Sequence, residues 1–393
     1  MNKEDKKAVY AFSGDPITYG HINIIKRAAN LFDEVLVSIG SNPDKNYMFS
    51  LDERLDMANN SLIDINNVAV NSFNGLLVDY AYEKGANVIV KGIRNMQDFE
   101  YENNLFQLGE SQDLGIETVI LFTEPELARV SSSAAKAILK EYGFIHKFVP
   151  LYVKQNLEAK MNKQYIIGIT GEIGTGKSYI SKEFENLGKK KGINVHNLEL
   201  DQITHQILSD QLNDFAYVNA REKIIEEFGA NVGNINGSIN RKELGEIVFN
   251  DKKKLDRLNE IMRRPLEIRI KKELNGKEGL ILFNAALIAE SNMNYLCNNN
   301  VVLVERDKKT QEKRLKQRNL TKEQIKRRLS SQYTYQQKDE KIQDEINEHN
   351  QGYILRVDNS NKGNQIQIEE TFDEIINKMN KLNLVWIFIR KDL

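Results

Sequence analysis

The stretch Tyr165-Ile166-Ile167-Gly168-Ile169-Thr170-Gly171-Glu172-Ile173-Gly174-Thr175-Gly176-Lys177-Ser178 reads as an apolar strand that runs into a glycine-rich turn and opens a helix. The pattern Gly171-x-x-x-x-Gly176-Lys177-Ser178 is that of a phosphate-binding P-loop. Its glycines let successive backbone N–H groups converge on a phosphate, its lysine reaches the β- and γ-phosphates, and its serine hydroxyl faces Mg²⁺. Gly174, Thr175, Gly176, Lys177, Ser178 and Tyr179 are therefore the expected ATP contacts, with Ser178 as metal ligand. The plainer reading, a glycine turn that only caps a helix, is disfavoured by the strand in front of it.

Working outward, further short β-branched runs follow at Ile193-Asn194-Val195, Leu280 to Phe283, Val301 to Val304 and Tyr353 to Val357. A similar series precedes the turn at Ala8 to Phe12, Val35 to Ile39, Val68 to Val70, Val88 to Val90 and Thr118 to Phe122. Segments of helical spacing separate them, as at Ile22, Ile25, Ala29 and Phe32, so strands and helices alternate and the fold class is α/β with two parallel-sheet domains. The polar, amide-rich link Glu158 to Gln164 puts the boundary between domains 1–161 and 162–393. Asn-rich stretches at 231–240 and 298–300 read as loops.

The chain has 393 residues, 40% hydrophobic and 28% charged, which is the globular range and enough for two cores. A formal net charge of -1 argues against a nucleic-acid binder working by bulk charge. A single cysteine, Cys297, excludes a disulfide framework within the chain, and the polar opening Met1 to Lys7 predicts no secretory leader; a reducing cytoplasm is expected. The apolar run Leu384 to Ile389 is far short of the ~20 residues a membrane span needs and is expected to pack at the terminus. Neither membrane nor nucleic-acid partners are predicted.

Between Lys308 and Arg328 the basic residues Lys308, Lys309, Lys313, Arg314, Lys316, Arg318, Lys322, Lys326, Arg327 and Arg328 face only Glu312 and Glu323. Helical spacing fits a solvated face, and behind a P-loop it also fits a lid whose arginines close over phosphate. With these residues in place, the half from Tyr165 onward resembles the dephospho-coenzyme A kinases. The resemblance runs through the P-loop, the pair Glu199-Leu200-Asp201, the lid pattern Gln317-Arg318 to Arg328-x-x-x-Gln332, and Asp358-Asn359. It implies that Asp201 takes the proton from a ribose 3′-hydroxyl, that Arg318 contacts ATP and that Asn359 closes on adenine. The chain departs from the family at His205, Arg264 and Ala286, where acceptor binding is in question.

The turn Ser13-Gly14-Asp15-Pro16-Ile17-Thr18-Tyr19-Gly20-His21 has no lysine; it offers a hydroxyl and an imidazole at a helix start. A histidine so placed is commonly a cap, but with Ser13 and Asp15-Pro16 upstream it suits attack of a phosphate on the α-phosphorus of ATP. Such a nucleophile is already an anion, so positioning and charge neutralisation carry the chemistry, with Lys45, Lys91, Arg94 and the helix start at Ser131-Ser132-Ser133 as candidates.

Residues 8–161 resemble the bacterial phosphopantetheine adenylyltransferases through Asp15 to His21, Met48 to Arg54, Gly92-Ile93-Arg94, Asp98 to Glu102 and Ser131 to Ser133. The resemblance implies a Rossmann-like nucleotidyltransferase fold and a homo-oligomer. It implies His21 as the transition-state stabiliser, with Ser13, Lys45, Leu77 and Lys91 holding phosphopantetheine. ATP would meet Ser13, Gly14, His21, Gly92, Ile93, Arg94, Glu102, Leu127, Ala128, Arg129, Val130, Ser131, Ser132 and Ser133. The family's Gly-Thr-Phe before Asp-Pro is Phe12-Ser13-Gly14 here, and its arginine is Lys91.

The two resemblances imply consecutive reactions: adenylyl transfer from ATP to 4′-phosphopantetheine, then phosphorylation of the ribose 3′-hydroxyl of dephospho-coenzyme A, with ATP and Mg²⁺. Three alternatives stay open: a nicotinamide mononucleotide adenylyltransferase joined to a ribosylnicotinamide kinase, a P-loop half that binds nucleotide without catalysis, and a basic nucleic-acid surface at 308–328.

Overall fold

Strands buried on both faces need helices above and below them, and the apolar runs of both halves obtain this cover in parallel sheets. The computed structural model describes residues 6–42, 45–248, 251–317, 322–330, 332–360 and 364–382. By its contacts the chain divides into two units, Met1–Lys140 with Phe144–Leu157, and Glu141–Gly143 with Glu158–Leu393.

The first unit runs β1 (Lys7–Phe12), α1 (Tyr19–Ala29), β2 (Glu34–Gly40), α2 (Leu51–Leu62), β3 (Val68–Phe73), α3 (Leu77–Glu83), β4 (Val88–Ile93), α4 (Met96–Glu110), β5 (Glu117–Phe122), α5 (Ser132–Lys140) and α6 (Leu151–Leu157). Its strands pair in parallel in the order β3-β2-β1-β4-β5. From β1 the chain builds one side of the sheet and then returns to build the other, so a switch point lies at the carboxyl ends of β1 and β4. On one face, Val9, Leu36 and Ile89 pack with Tyr80, Ala81 and Ala86.

The second unit runs β6 (Gln164–Thr170), α7 (Lys177–Lys191), β7 (Val195–Glu199), α8 (Leu200–Leu208), α9 (Phe215–Phe228), α10 (Arg241–Val248), α11 (Lys252–Leu274), β8 (Gly279–Asn284), β9 (Asn300–Glu305), α12 (Lys308–Gln317), α13 (Lys322–Ser330), α14 (Tyr335–His349), β10 (Tyr353–Asp358) and α15 (Gln365–Lys381). The order is β10-β9-β6-β8-β7, again all parallel, with β6 in the middle. Ile167, Ile169, Leu282 and Val302 bury one sheet face against Phe184 of α7 and Phe372 of α15, whose rings lie 5.5 Å apart.

Two local expectations change. The run Ile193-Asn194-Val195 is not a strand; β7 begins where it ends. Gly192, at φ +68, closes α7, and the Ile193 N–H donates to the Gly188 carbonyl at 2.8 Å, so the buried Ile193 is the apolar residue of a left-handed helix cap. Asn298 and Asn299 do form a connection, at φ +54 and +57, but both are fully buried and Asn300 already belongs to β9. Asn298 Nδ2 donates to the buried Glu158 Oε2 at 2.7 Å, which anchors the start of this unit. The run at 384–389 lies outside the described residues.

Candidate active sites

Every candidate residue of the first unit follows the carboxyl end of a strand: Ser13, Gly14 and His21 after β1, Lys45 after β2, Leu77 after β3, Lys91 to Arg94 and Glu102 at and after β4, and 127–133 after β5. The turn after β1 is held by groups the motif itself supplies. Asp15 is buried and accepts from the N–H groups of Met48 and Phe49 at 3.1 and 3.0 Å and from Lys136 Nζ at 2.9 Å. Arg54, also buried, donates to the carbonyls of Ser13 at 2.6 Å and Gly40 at 2.9 Å. Ser132 Oγ donates to the Pro16 carbonyl at 2.8 Å, and a Cβ on Gly20 would lie 3.2 Å from the Val130 carbonyl, so the 127–133 segment closes against the same turn.

His21 is the third residue of α1, and the Thr18 N–H donates to its Nδ1 at 3.1 Å, with Thr18 Oγ1 at 3.0 Å. The histidine thereby caps its helix, as a histidine so placed commonly does. A cap that occupies Nδ1 as acceptor leaves the proton on Nε2, making that atom the donor of a neutral ring. Burial, then the nearby Arg94 guanidinium, lowers its pKa to about 4.

The cations at the end of β4 are matched by α4. Lys91 Nζ pairs with Glu102 Oε2 at 2.7 Å, and Arg94 meets Asp98 through Nε at 2.8 Å and Nη2 at 3.2 Å. Gly92 lets α1 approach, since a Cβ there would lie 2.7 Å from Ile24. Ser131 Oγ accepts from the Ala134 N–H at 3.1 Å as a cap on α5, while Ala128, Arg129 and Ser133 are exposed. Lys45 is exposed in its turn, and Leu77 packs on the cluster around Tyr80. The sequence assigns no role to Arg54; the capping pair Ser50 and Glu53, which opens the helix bearing it, is the signal that places it.

In the second unit Gly171, Gly174 and Gly176 have φ +147, +86 and +104, conformations that other residues rarely adopt. A Cβ on Gly171 would come 2.2 Å from the Val304 carbonyl. Lys177 Nζ donates to the carbonyls of Gly171 at 3.1 Å and Glu172 at 3.2 Å. Thr175 is buried, its Oγ1 donating to the Glu172 carbonyl at 2.9 Å, while Ser178 and Tyr179 are exposed on the first turn of α7. Asn359 Nδ2 donates to the Thr175 carbonyl at 2.7 Å, which brings the residue after β10 onto the loop. Asp201 stands exposed at the start of α8, beyond β7. Arg318 lies outside the described residues.

Further groups gather at this site, among them Arg314 and Gln332 of the expected lid. A Cβ on Gly176 would lie 2.6 Å from Arg314 Nη1, so that guanidinium covers the loop. Glu172 accepts from Gln311 Nε2 and from the Tyr335 N–H, each at 2.9 Å, and the Ile173 N–H donates to Gln332 Oε1 at 3.0 Å. Both ends of the basic segment are thus fastened to the phosphate loop. Lys338 is fully buried; its Nζ donates to the Ala286 carbonyl at 2.6 Å and pairs with Glu290. Burial lowers its pKa, and the opposing charges of Glu290, Glu172 and Asp201 resist that shift. Ala286 therefore contributes through its carbonyl, whichever side chain it bears. Arg264 is exposed and pairs with Glu267 at 3.4 Å; it also lines a cavity of about 740 Å³ between α9 and α11 with Phe215, Ile261 and Pro265.

Fold and sites together define a nucleotidyltransferase unit followed by a P-loop kinase unit. The family model described as dephospho-CoA kinase matches residues 165–353, and the one described as cytidylyltransferase-like matches 13–138. The chain is 44% identical to a phosphopantetheine adenylyltransferase of Clostridium novyi (strain NT), over 40% of this chain and 97% of that protein. It is 46% identical to the one from Desulfosudis oleivorans, over 40% of this chain and 93% of that protein. The chain belongs, through its first unit, to the phosphopantetheine adenylyltransferase family, and its second unit carries a dephospho-CoA kinase domain.

Proposed function

We propose that the chain makes coenzyme A from 4′-phosphopantetheine in two ATP-dependent steps, one in each unit. The observation that carries this reading is the pair of unlike phosphate turns, each leaving the middle strand of its own sheet: a neutral imidazole in one, an ammonium within a glycine loop in the other.

In the first step a phosphate oxygen of 4′-phosphopantetheine forms a bond to the α-phosphorus of ATP, the bond to the bridging oxygen breaks, and pyrophosphate leaves. No base is required. Nε2–H of His21 donates to the charge that builds on the α-phosphate, and Lys91 exchanges Glu102 for substrate phosphate. Ser13, Lys45 and Leu77 hold the acceptor, while Arg94 and the 127–133 segment hold ATP.

In the second step Asp201 takes the proton of the ribose 3′-hydroxyl as its oxygen attacks the γ-phosphorus, and ADP leaves. Lys177 turns from the carbonyls of Gly171 and Glu172 to the phosphates, with Arg314 beside it. The exposed Ser178 hydroxyl, a hard oxygen donor, suits Mg²⁺, which when bound neutralises phosphate charge. The buried Glu290–Lys338 pair, which fixes the Ala286 carbonyl, supports a working kinase over a silent nucleotide binder.

The same reading places the protein in a reducing cytoplasm; among the described residues no helix is long and apolar enough to cross a membrane. It also makes the protein a homo-oligomer whose contact is α4. That helix buries no residue in the single chain and exposes Met96, Phe99, Tyr101, Leu105, Phe106 and Leu108, a surface suited to a second copy.

Purified protein incubated with ATP, Mg²⁺ and 4′-phosphopantetheine should yield coenzyme A, pyrophosphate and ADP by mass spectrometry. Dephospho-coenzyme A alone would remove the kinase assignment, and no product would remove both.

A further inference from the structure

The turn after β1 carries an exchange: an aromatic ring at Phe12 and a glycine at Gly14, in the places where the family has glycine and an aromatic ring. The geometry accounts for both halves of it. The Phe12 ring lies against the His21 ring, centroids 4.5 Å apart and planes inclined by 35°, and the Tyr10 ring lies 5.4 Å from Phe12. Gly14 sits at φ +63, and a Cβ there would lie 2.9 Å from Ile39 Cδ1 and 3.5 Å from Phe12 Cε2. At this φ, and with Ile39 so close, residue 14 has neither the backbone angle nor the space for a ring.

We propose that Phe12 is a positioning residue for adenylyl transfer: its ring packs on the His21 imidazole, fixes the plane of that ring and keeps water from it, while Thr18 holds the Nδ1 edge. The imidazole is then constrained on a face and on an edge, and Nε2–H remains its one hydrogen-bond donor. The charged neighbour that acts on it is Arg94, itself paired with Asp98; the buried Tyr10 hydroxyl feels Glu102 and Arg94. Burial and Arg94 both favour the neutral ring, and a proton on Nδ1 would break the bond from the Thr18 N–H. Uncovering the ring face removes part of this constraint.

This inference rests on the adenylyltransferase reading, so its test has a readout independent of turnover. The His21 ring resonance, assigned by its loss in His21→Gln, is titrated by NMR in wild type, Phe12→Ala and Phe12→Tyr. The inference predicts that Phe12→Ala moves the His21 midpoint up from about 4 toward 6.5. It further predicts that adenylyl transfer loses on the order of 10- to 100-fold in kcat with KM for ATP within about twofold, since misplacing a reacting group costs rate more than binding. Phe12→Tyr should keep the wild-type midpoint and rate. An unchanged midpoint and kcat in Phe12→Ala would overturn the proposal, as would a Phe12→Tyr protein as impaired as Phe12→Ala. Failure of the wild type to transfer adenylyl groups would instead overturn the functional reading, leaving the titration to judge Phe12.

Discussion

The turn after β1 and the turn after β6 leave equivalent places in two parallel sheets, yet they distribute charge in opposite ways. In the first, the turn carries no cation of its own: its one carboxylate, Asp15, is paired with Lys136, and Lys91 and Arg94 stand at the end of β4, already paired by Glu102 and Asp98 of α4. In the second, the cation is within the loop, bonded to backbone carbonyls of Gly171 and Glu172, with Arg314 brought in from α12. The difference matches the nucleophiles. An attacking phosphate is repelled by the polyphosphate it approaches and gains from paired cations that yield only to an incoming anion; an attacking hydroxyl is neutral and needs a carboxylate as base.

The comparison breaks first at Asp201. Asp201→Asn should lower the kinase kcat by about 10²- to 10⁴-fold and leave adenylyl transfer at the wild-type rate, as measured with each half-reaction supplied separately. An equal loss in both would mean that the two turns do not work independently. Lys338→Met comes next. It strands the Glu290 carboxylate beside the Ala286 carbonyl, and breaking such a buried pair costs about 3–5 kcal/mol, so calorimetry should show an earlier unfolding step and kinase activity should fall with it. Lys91→Ala is smaller: KM for 4′-phosphopantetheine should rise by about 10- to 100-fold, because one charge-assisted contact worth about 1.5–3 kcal/mol is lost, with the kinase step unaffected.

The smallest effect is one of pH. His21 is held at about 4 against an ordinary 6.5, so the folded ring stays neutral while the unfolded one gains a proton between those values. Stability from this group is therefore full above pH 6.5 and falls as pH drops toward 4, and the adenylyl-transfer rate should show no imidazole limb between about pH 6 and 8. A pH–rate profile with a midpoint near 6.5 that vanishes in His21→Gln would contradict this.

Much of the fold was legible because parallel strands are apolar along their whole length, as at Ile166 to Ile169 and Val301 to Val304. The run at Ile193 misled because a helix cap also wants a buried apolar residue, and Asn298-Asn299 misled because asparagine tolerates the left-handed region inside a core as well as in a loop. The glycine turn and the Thr18–His21 turn could be read because their chemistry is contiguous. Arg314 and Lys338 could not be assigned in that way: Arg314 reaches the P-loop from 137 positions beyond Lys177, and Lys338, 161 positions beyond it, meets Glu290 and the Ala286 carbonyl, through sheet order alone. Arg54 likewise supports Ser13 from a different helix.

The most direct test separates the two turns in one protein. His21→Ala and Lys177→Ala are assayed for both half-reactions, with 4′-phosphopantetheine in one set and dephospho-coenzyme A in the other. The account predicts that His21→Ala loses adenylyl transfer by about 10²- to 10³-fold and still converts dephospho-coenzyme A, while Lys177→Ala accumulates dephospho-coenzyme A and goes no further. Normal rates for both half-reactions in either variant would contradict it.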